Sequence, residues 1–531
     1  MSYPDGTDHA GTLRELIAAQ VASKMTAQDP TLWGPDAESE SKIRLSWVGL
    51  AESSRPLVAE IEALRIELAA ENVDHVVLAG MGGSSLAPEV IAATAGVELV
   101  TLDTTDPGQV AAALAESLDR TVLVVSSKSG GTVETDSHRR VYSKAFTDAG
   151  IDPKRRIVVV TDPGSPLAEL AAQEGYRKTF LADPNVGGRY SALTAFGLVP
   201  SGLAGVDIGG LLDEAAAVAP TLAQDEDTNP ALQLGALFGL AHNAGSEKIV
   251  LADTGSGITG FGDWAEQLIA ESTGKQGRGL LPVVVEGVGA PGFYDAHEDA
   301  VQVVLGPEPD TDQERAVTPF GAGVQGPLGA QLLLWEYAVA VAGRIIGINP
   351  FDQPNVEAAK AQARQLLDGG SSDEPAPALV DGAVEVRGTG IDFAGCSTVA
   401  DAIRALFAAV PDRGYISVQA YLDRLADASA SDLRPAVATD SGRQTTFGWG
   451  PRFLHSTGQY HKGGHPNGGF LQITAVSDTD LEIPDRPYTF AVLQQAQAAG
   501  DAAVLSQAGR PVLRLHLTHR ESGIGQLLRA L

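Results

Sequence analysis

The residues best suited to chemistry lie where an apolar run meets a helical pattern, in the segment SSKSGGT at 126–132. Free backbone N–H groups and the positive end of the helix dipole favour an anion at such a helix start. Gly130 and Gly131 allow the backbone to approach a ligand closely. The polar side chains expected to bind a phosphate group are Ser127, Lys128, Ser129 and Thr132. An ordinary Ser/Thr helix cap after a glycine turn gives the same pattern and remains an alternative.

A second glycine-rich turn, GMGGSSLAP at 80–88, has the same order of apolar run, turn and helix start. It is expected to bring Gly83 and Ser84 beside the first segment. Neither segment has the Gly-Lys-Ser/Thr ending of a P-loop, and the G-x-G-x-x-G spacing of a dinucleotide site is absent from both. The two turns therefore favour a phosphate or sugar site that is not of either nucleotide-binding type.

Three more side chains are suited to moving protons or stabilising negative charge. Glu271 lies near the end of the helical pattern WAEQLIAEST, where the negative end of the dipole and apolar neighbours raise the pKa of a carboxyl group. Arg189 follows two glycines that can turn a guanidinium inward. Lys360 lies three residues after Glu357. Each also has a structural alternative: a surface glutamate, a structural arginine and an exposed Glu357–Lys360 pair.

The histidine-rich string HSTGQYHKGGH near the C-terminus permits a metal site at His455, His461 and His465. The interpretation is disfavoured because no carboxylate or cysteine lies nearby in the sequence, and Gly/Pro loops rarely preorganise metal ligands. We therefore predict neither a metal nor an organic cofactor.

Five segments together resemble, in the family's order, the motifs of phosphoglucose isomerases. These are GMGGSSLAP, the phosphate loop SSKSGGTVET, the arginine loop GGRYSALTAFGL, the glutamate helix WAEQLIAESTGK and the closing segment LGAQLLLWEYAVAVAGRIIGINPFDQPNVEAAK. They span roughly residues 75 to 365. The resemblance implies a reversible aldose–ketose isomerase for a sugar 6-phosphate, acting through a cis-enediol without a cofactor, as a homodimer whose site lies at the subunit interface.

The resemblance also implies a role for each matching residue. Ser127, Lys128, Ser129 and Thr132 fall on the phosphate loop, and Gly83 and Ser84 on the turn that contacts the sugar. Arg189 falls on the arginine that faces the enediolate, and Glu271 on the base. Gln353 and Lys360 fall on the residues that line the substrate and assist ring opening.

The chain departs from the family pattern at the catalytic histidine. The family's Gly-Gln-His element is missing between the glutamate helix and FDQ, and the similar string FGWGPRFLHSTGQYHKGGHPNGGFLQI occurs near the C-terminus. Such an arrangement resembles the isomerase module of bacterial transaldolase fusions. We predict that His461, which follows Gly458-Gln459 after one extra residue, opens the sugar ring; His455 is the second candidate. The phosphate loop also departs, with Ser129-Gly130-Gly131 where the family has Thr and aromatic residues.

Elements of a parallel α/β fold surround these segments. Up to residue 70 the apolar spacing is helical, and from His75 short apolar runs such as HVVLAG and TVLVVS alternate with helical stretches. A second series starts at Lys248. The sequence predicts two sugar-isomerase (SIS-type) αβα sandwich domains with parallel sheets after a helical N-terminal segment: residues 1–70, 71–205 and 206–531. The last includes a C-terminal α/β segment and an exposed loop at 368–378.

Composition restricts the partners. With 67 Asp and Glu against 37 Lys and Arg, the net charge of −30 repels nucleic acid and anionic lipid at long range. A single cysteine excludes an intrachain disulfide, and no apolar secretory segment is evident at the start, so a cytoplasmic protein with a small-molecule sugar-phosphate partner is expected. Two alternatives remain: a non-catalytic sugar-phosphate sensor, and an isomerase for another sugar phosphate, including mannose 6-phosphate or an aminosugar.

Overall fold

The computed structural model describes residues 1–308, 320–355, 357–367 and 376–531, without the side chains of residues 357, 359 and 360. The exposed loop predicted at 368–378 therefore lies almost entirely outside the described residues, as does the side chain of Lys360.

The N-terminal segment is helical, as predicted. Its apolar positions recur every three or four residues, and Ile61, Leu64 and Leu68 consequently face the core from one side of the fifth helix. The helices are α1 (His9–Ala18), α2 (Val21–Thr26), α3 (Pro35–Ser41), α4 (Leu50–Ser53) and α5 (Arg55–Ala70).

A five-stranded parallel sheet follows, in the order β2-β1-β3-β4-β5. Its strands are β1 (His75–Gly80), β2 (Val100–Leu102), β3 (Thr121–Ser126), β4 (Ile157–Thr161) and β5 (Lys178–Leu181). Its helices are α6 (Leu86–Ala95), α7 (Pro107–Ala115), α8 (Val133–Asp148) and α9 (Pro166–Glu174). Gly80 at the end of β1 is in register with Ser126 at the end of β3, so the two glycine-rich segments leave the sheet side by side.

The next part of the chain forms a four-stranded parallel sheet in the order β7-β6-β8-β9. Helices α10 (Ala195–Leu203), α11 (Ile208–Leu222) and α12 (Pro230–Asn243) lead into it. The strands are β6 (Lys248–Asp253), β7 (Leu281–Val284), β8 (Ala300–Leu305) and β9 (Phe320–Val324). Three helices accompany them: α13 (Phe261–Thr273), α14 (Leu328–Ile346) and α15 (Glu357–Leu367). One continuous core joins this sheet to the N-terminal helices and to one face of the first sheet.

The C-terminal strands form a third, mixed sheet in the order β10-β11-β15-β14-β12-β13. They are β10 (Leu379–Asp381), β11 (Val384–Thr389), β12 (Tyr415–Tyr421), β13 (Gln444–Trp449), β14 (Gly468–Ala475) and β15 (Val512–Leu517). Five helices surround them: α16 (Val399–Ala409), α17 (Leu433–Ser441), α18 (Gly458–Gly463), α19 (Phe490–Gln507) and α20 (Arg520–Ala530). Strands β10 and β11 pair antiparallel, as do β11 and β15, and the remaining pairs are parallel.

This third sheet differs from the expectation that residues 206–531 form one domain. Within the described residues, its strands pair with one another rather than with β6 to β9, and one of its faces has a core of its own. Short apolar runs identify strands but not the sheet to which each belongs. We propose treating residues 376–531 as a third α/β unit, here called the C-terminal unit.

The C-terminal unit packs across both earlier sheets. Phe490 and Leu493 of α19 join the core on the second face of the first sheet. Tyr415 and Tyr460 join residues of the second sheet. Arg452 pairs with Glu89 at 2.5 Å and Asp103 at 3.2 Å. The three units also meet near the carboxyl ends of β1 and β3, where Met81, Ser126, Gln267 and His455 line one cavity. In the described part of the chain, the helices are too short or too polar to span a membrane.

Candidate active site

A cavity of about 360 Å³ lies where the three units meet. Its size falls in the range of small-molecule sites. It brings together predicted residues from five separate segments of the sequence, namely Gly83, Ser84, Ser127, Lys128, Ser129, Thr132, Glu271, Gln353 and His455. Arg189 joins them through its hydrogen bonds to Glu271 and Gln353.

Glu271 lies in the last turn of α13 and is only 5% exposed. Its Oε2 accepts from Arg189 Nη1 at 3.3 Å, and its Oε1 accepts from Gln267 Nε2 at 3.4 Å. Burial raises the pKa of Glu271, and the charge of Arg189 opposes that rise without cancelling it. The carboxyl group is thus held beside the cavity with a greater proton affinity than an exposed glutamate has.

Arg189 is 2% exposed and uses all three guanidinium nitrogens. Its Nε donates to Ser272 Oγ at 2.9 Å, and its Nη2 donates to the carbonyl oxygens of Pro350 at 2.6 Å and Asp352 at 3.0 Å. Its Nη1 also donates to Gln353 Oε1 at 3.0 Å. The guanidinium therefore fixes the FDQ segment against the end of α13.

Lys275 is a residue that the sequence analysis missed. Its side chain is fully buried, and its Nζ donates to Asn349 O at 2.7 Å, to Asp352 O at 2.6 Å and to Asp352 Oδ1 at 2.6 Å. Burial, together with the charge of Arg189, lowers the pKa of Lys275 to about 7. The STGK ending of the glutamate motif contained this lysine, but its acceptors lie more than 70 positions away in the sequence.

Hydroxyl groups of the phosphate loop form hydrogen bonds within the loop. Ser127 Oγ and Thr132 Oγ1 are 3.0 Å apart, and Gly130 N donates to Ser127 Oγ at 3.2 Å. The loop ends at the N-terminus of α8, where no side chain of the described residues caps the helix. The helix start therefore keeps backbone N–H groups that can bind an anion.

Lys128 faces the same cavity but already has an anionic partner. Its Nζ lies 2.7 Å from Asp162 Oδ2 and donates to Pro184 O at 3.3 Å. The pair contributes little net charge to the loop. A bound phosphate must therefore share Lys128 with Asp162 and take the rest of its stabilisation from hydroxyl and backbone donors.

Glycines in the first turn allow three loops to approach one another. A Cβ on Gly83 would overlap the carbonyl group of Gly188, so the turn and the arginine loop can pack this closely only without a side chain there. Gly82 has a φ of +56°, and a Cβ on it would lie 2.7 Å from the carbonyl oxygen of His455. Close backbone packing thus brings the segments that carry Arg189 and His455 against the same turn.

His455 lies in the short 3₁₀ turn Arg452–His455 of the C-terminal unit and lines the cavity. Its Nε2 is 3.0 Å from Oε1 of Glu134, a buried carboxylate in the first turn of α8. Its backbone carbonyl accepts from Gln267 Nε2 at 2.9 Å. The Gly-Gln spacing in the sequence makes His455 only the second candidate, and no sequence pattern indicates the role of Glu134.

The first-choice histidine, His461, lies elsewhere. It is buried in α18, with Nδ1 3.0 Å from Tyr415 Oη and Nε2 3.2 Å from Ser417 Oγ. Burial lowers its pKa well below the usual value. His465 is separate again, 3.1 Å from Glu247. The three histidines considered for a metal site thus have three different sets of partners.

Comparisons with known proteins identify the family of the chain. A family model described as phosphoglucose isomerase matches residues 57–276. The chain is 31% identical over 355 residues to a probable glucose-6-phosphate isomerase of Haloarcula marismortui, covering 57% of this chain and 80% of that one. It is 30% identical over 392 residues to a probable glucose-6-phosphate isomerase of Natronomonas pharaonis, covering 64% of this chain and 90% of that one.

Two solved structures have the same fold over two thirds of the chain. A hypothetical protein from Thermus thermophilus superposes with a TM-score of 0.56 at 26% identity, covering 68% of this chain and 96% of that one. A glucose-6-phosphate isomerase from Chlamydia trachomatis superposes with a TM-score of 0.54 at 19% identity, covering 68% and 85%. At that identity the second likeness concerns the fold alone.

Proposed function

Since the chain belongs to the phosphoglucose isomerase family, we propose that it is a glucose-6-phosphate isomerase with Glu271 as its proton-transfer base. It is an intramolecular oxidoreductase that interconverts glucose 6-phosphate and fructose 6-phosphate. The observation that carries the residue assignment is the buried Glu271–Arg189 pair beside the phosphate loop. A carbon-acid base and a cation for the resulting oxyanion are the two groups that this reaction needs most.

In the proton-transfer step, Glu271 removes the proton from C2 of the open-chain aldose and returns it to C1. The raised pKa of Glu271 brings its proton affinity nearer to that of a base working at neutral pH. Arg189 stabilises the cis-enediolate formed between the two transfers. Its hydrogen bonds to Ser272 and Pro350 hold the guanidinium in place, and this fixed positive charge beside Glu271, rather than a free N–H donor, supports the role.

We assign ring opening to His455 in preference to His461. His455 lines the cavity and has a carboxylate partner in Glu134, an arrangement that fixes the ring and its tautomer. Both nitrogens of His461 instead face hydroxyl groups in the core. Lys360 and Gln353 remain proposed substrate contacts from the closing segment.

The 6-phosphate is proposed to bind at residues 127–132. Hydroxyl groups and the start of α8 supply donors there, which offsets the repulsion expected from a protein with a net charge of −30. Every group that the mechanism uses is a side chain or a backbone donor, so we propose activity without a metal or organic cofactor. Cytoplasmic localisation and a homodimer are further proposals, based on the family.

The test is a coupled assay of the purified protein that measures glucose 6-phosphate formed from fructose 6-phosphate, with and without a chelator. Equal turnover in both conditions is expected. Absence of turnover would contradict the proposed activity, whereas loss after chelation, restored by one metal, would contradict the mechanism. The same assay, read for mannose 6-phosphate instead of glucose 6-phosphate, shows which of the two epimers the protein forms.

A further inference from the structure

The Glu134 carboxylate, beside the cavity, receives a second donor from the C-terminal unit. Glu134 Oε1 lies 3.0 Å from His455 Nε2 and accepts from Gln497 Nε2 at 2.6 Å. Gln497 lies in α19 and is 5% exposed. Two donors on one buried oxygen define the position of that carboxylate more closely than one donor does.

Thr105, in the loop between β2 and α7, fixes the orientation of the Gln497 amide. Its Oγ1 donates to Gln497 Oε1 at 2.8 Å, and Thr105 is fully buried. Because the amide oxygen faces this hydroxyl, the amide nitrogen must face Glu134. Thr105 and Glu134 of the first domain and Gln497 of the C-terminal unit are thus joined by one series of hydrogen bonds that ends at the imidazole of His455.

We propose that Gln497 is a positioning residue for sugar-ring opening: it holds Glu134, which in turn orients His455. This inference rests on the proposed function. Gln497 stabilises the ionised form of Glu134, because a hydrogen bond donated to a buried carboxylate favours its charge. The carboxylate then keeps the proton on Nε2 of His455, which leaves Nδ1 as the ring nitrogen that can take the proton of the anomeric hydroxyl group and deliver it to the ring oxygen.

The same helix provides a matched control. Gln494 lies three residues earlier in α19 and is buried to a similar extent, 3% against 5% for Gln497. Its Nε2 has no hydrogen-bond partner among the described residues. Gln497→Met and Gln494→Met therefore make the same chemical change at equally buried positions, and only the first removes a donor to Glu134.

The experiment compares two substrates that differ in their need for ring opening. Fructose 6-phosphate is mostly cyclic, whereas an aldose 4-phosphate of four carbons cannot close a ring because its O4 carries the phosphate. For Gln497→Met we expect about tenfold or greater loss of kcat on the cyclic substrate. Exchange of the C2 proton of the tetrose phosphate with deuterated solvent should change less than about twofold. Gln494→Met should leave both rates near those of the unmodified protein.

A second variant and a spectroscopic measurement distinguish a positioning role of Gln497 from a general loss of structure. Thr105→Val, which removes the hydroxyl group that orients Gln497, should give a smaller loss with the same substrate selectivity. The imidazole N–H proton resonance of His455, identified by its absence in His455→Gln, should shift or broaden in Gln497→Met but not in Gln494→Met. Equal losses on both substrates, equal effects of the two methionine variants, or an unchanged resonance would overturn the inference. Absence of isomerisation and exchange in the unmodified protein would instead overturn the proposed function on which it rests.

Discussion

The two ends of the cavity hold their polar groups in different ways. At the base end, Glu271 and Arg189 are almost completely buried and paired with each other, and Arg189 also binds backbone carbonyl groups. At the phosphate end, Ser129 and Gly131 are exposed and Lys128 is partly exposed. The charged groups of the base end are therefore more deeply buried than those of the phosphate end.

This difference in burial fits the two functions proposed for the cavity, proton transfer and phosphate binding. Proton transfer requires groups whose distances and proton affinities are set in advance, and burial provides both. Phosphate binding requires donors that exchange water for the ligand, and an exposed loop at a helix start provides those. Substitutions at the base end should therefore change turnover, and substitutions at the phosphate end should change affinity.

The largest expected effect is that of Glu271→Gln, which tests the base end directly. Glutamine preserves the shape and can keep one of the two accepted hydrogen bonds, but it cannot accept the carbon-bound proton, so kcat should fall by about 10³-fold or more. Binding of a phosphorylated inhibitor, measured by calorimetry, should stay close to that of the unmodified protein. A variant that kept a tenth of the original turnover would show that Glu271 is not the base.

The next largest effect concerns His455 and His461, and it tests which of the two histidines takes part in ring opening. His455→Gln should lower turnover of the cyclic substrate by about 10²-fold, because it removes the acid–base group at the cavity. His461→Gln is the control, expected to act on stability rather than on the ratio of cyclic to open-chain rates. The reverse result, with the substrate-selective loss in His461→Gln, would return ring opening to His461.

A smaller effect is expected at the phosphate end. Ser127→Ala and Thr132→Ala each remove one hydroxyl donor to a charged group remote from the reacting carbons, so KM should rise by about tenfold. The value of kcat should change little. Inhibition by inorganic phosphate should weaken in parallel, and unchanged inhibition in both variants would contradict the assignment of this loop.

The burial of Lys275 at the base end should make the stability of the protein depend on pH. With a pKa of about 7 in the folded protein, Lys275 binds its proton less readily than in the unfolded chain. Between pH 7 and about 10, the unfolded state therefore holds the extra proton, and the free energy of unfolding gains up to about 1.4 kcal/mol per pH unit. Lys275→Met should lack this gain in urea titrations at pH 7, 8 and 9. Parallel pH curves for the two proteins would contradict it.

Local patterns were sufficient to predict much of this molecule. The apolar runs identified strands β1 and β3, and the glycine turns identified the two loops that follow them and lie side by side. Both were recognisable because strand and turn preferences depend on neighbouring residues. They did not reveal the third sheet. In a run such as YISVQAYL nothing specifies which strands it will pair with, since pairing partners are set by long-range packing.

The site shows the same limit. The motif around Glu271 was recognisable, but the acceptors of Lys275 and the partners of Glu134 come from distant parts of the chain. The choice between His455 and His461 depended on a Gly-Gln spacing. The structure instead distinguishes them by their neighbours, a cavity for one and the hydroxyl groups of Tyr415 and Ser417 for the other.

The placement of His455 also affects how activity depends on protein concentration. His455 reaches the cavity from the C-terminal unit of the same chain as Arg189 and Glu271, so the groups proposed for ring opening and for proton transfer belong to one polypeptide. If copies of the chain associate, we expect their separation on dilution to leave the rate per chain unchanged, because Glu271, Arg189 and His455 line or adjoin the cavity of their own chain. Association of the chains would then contribute to the stability of the protein rather than to catalysis.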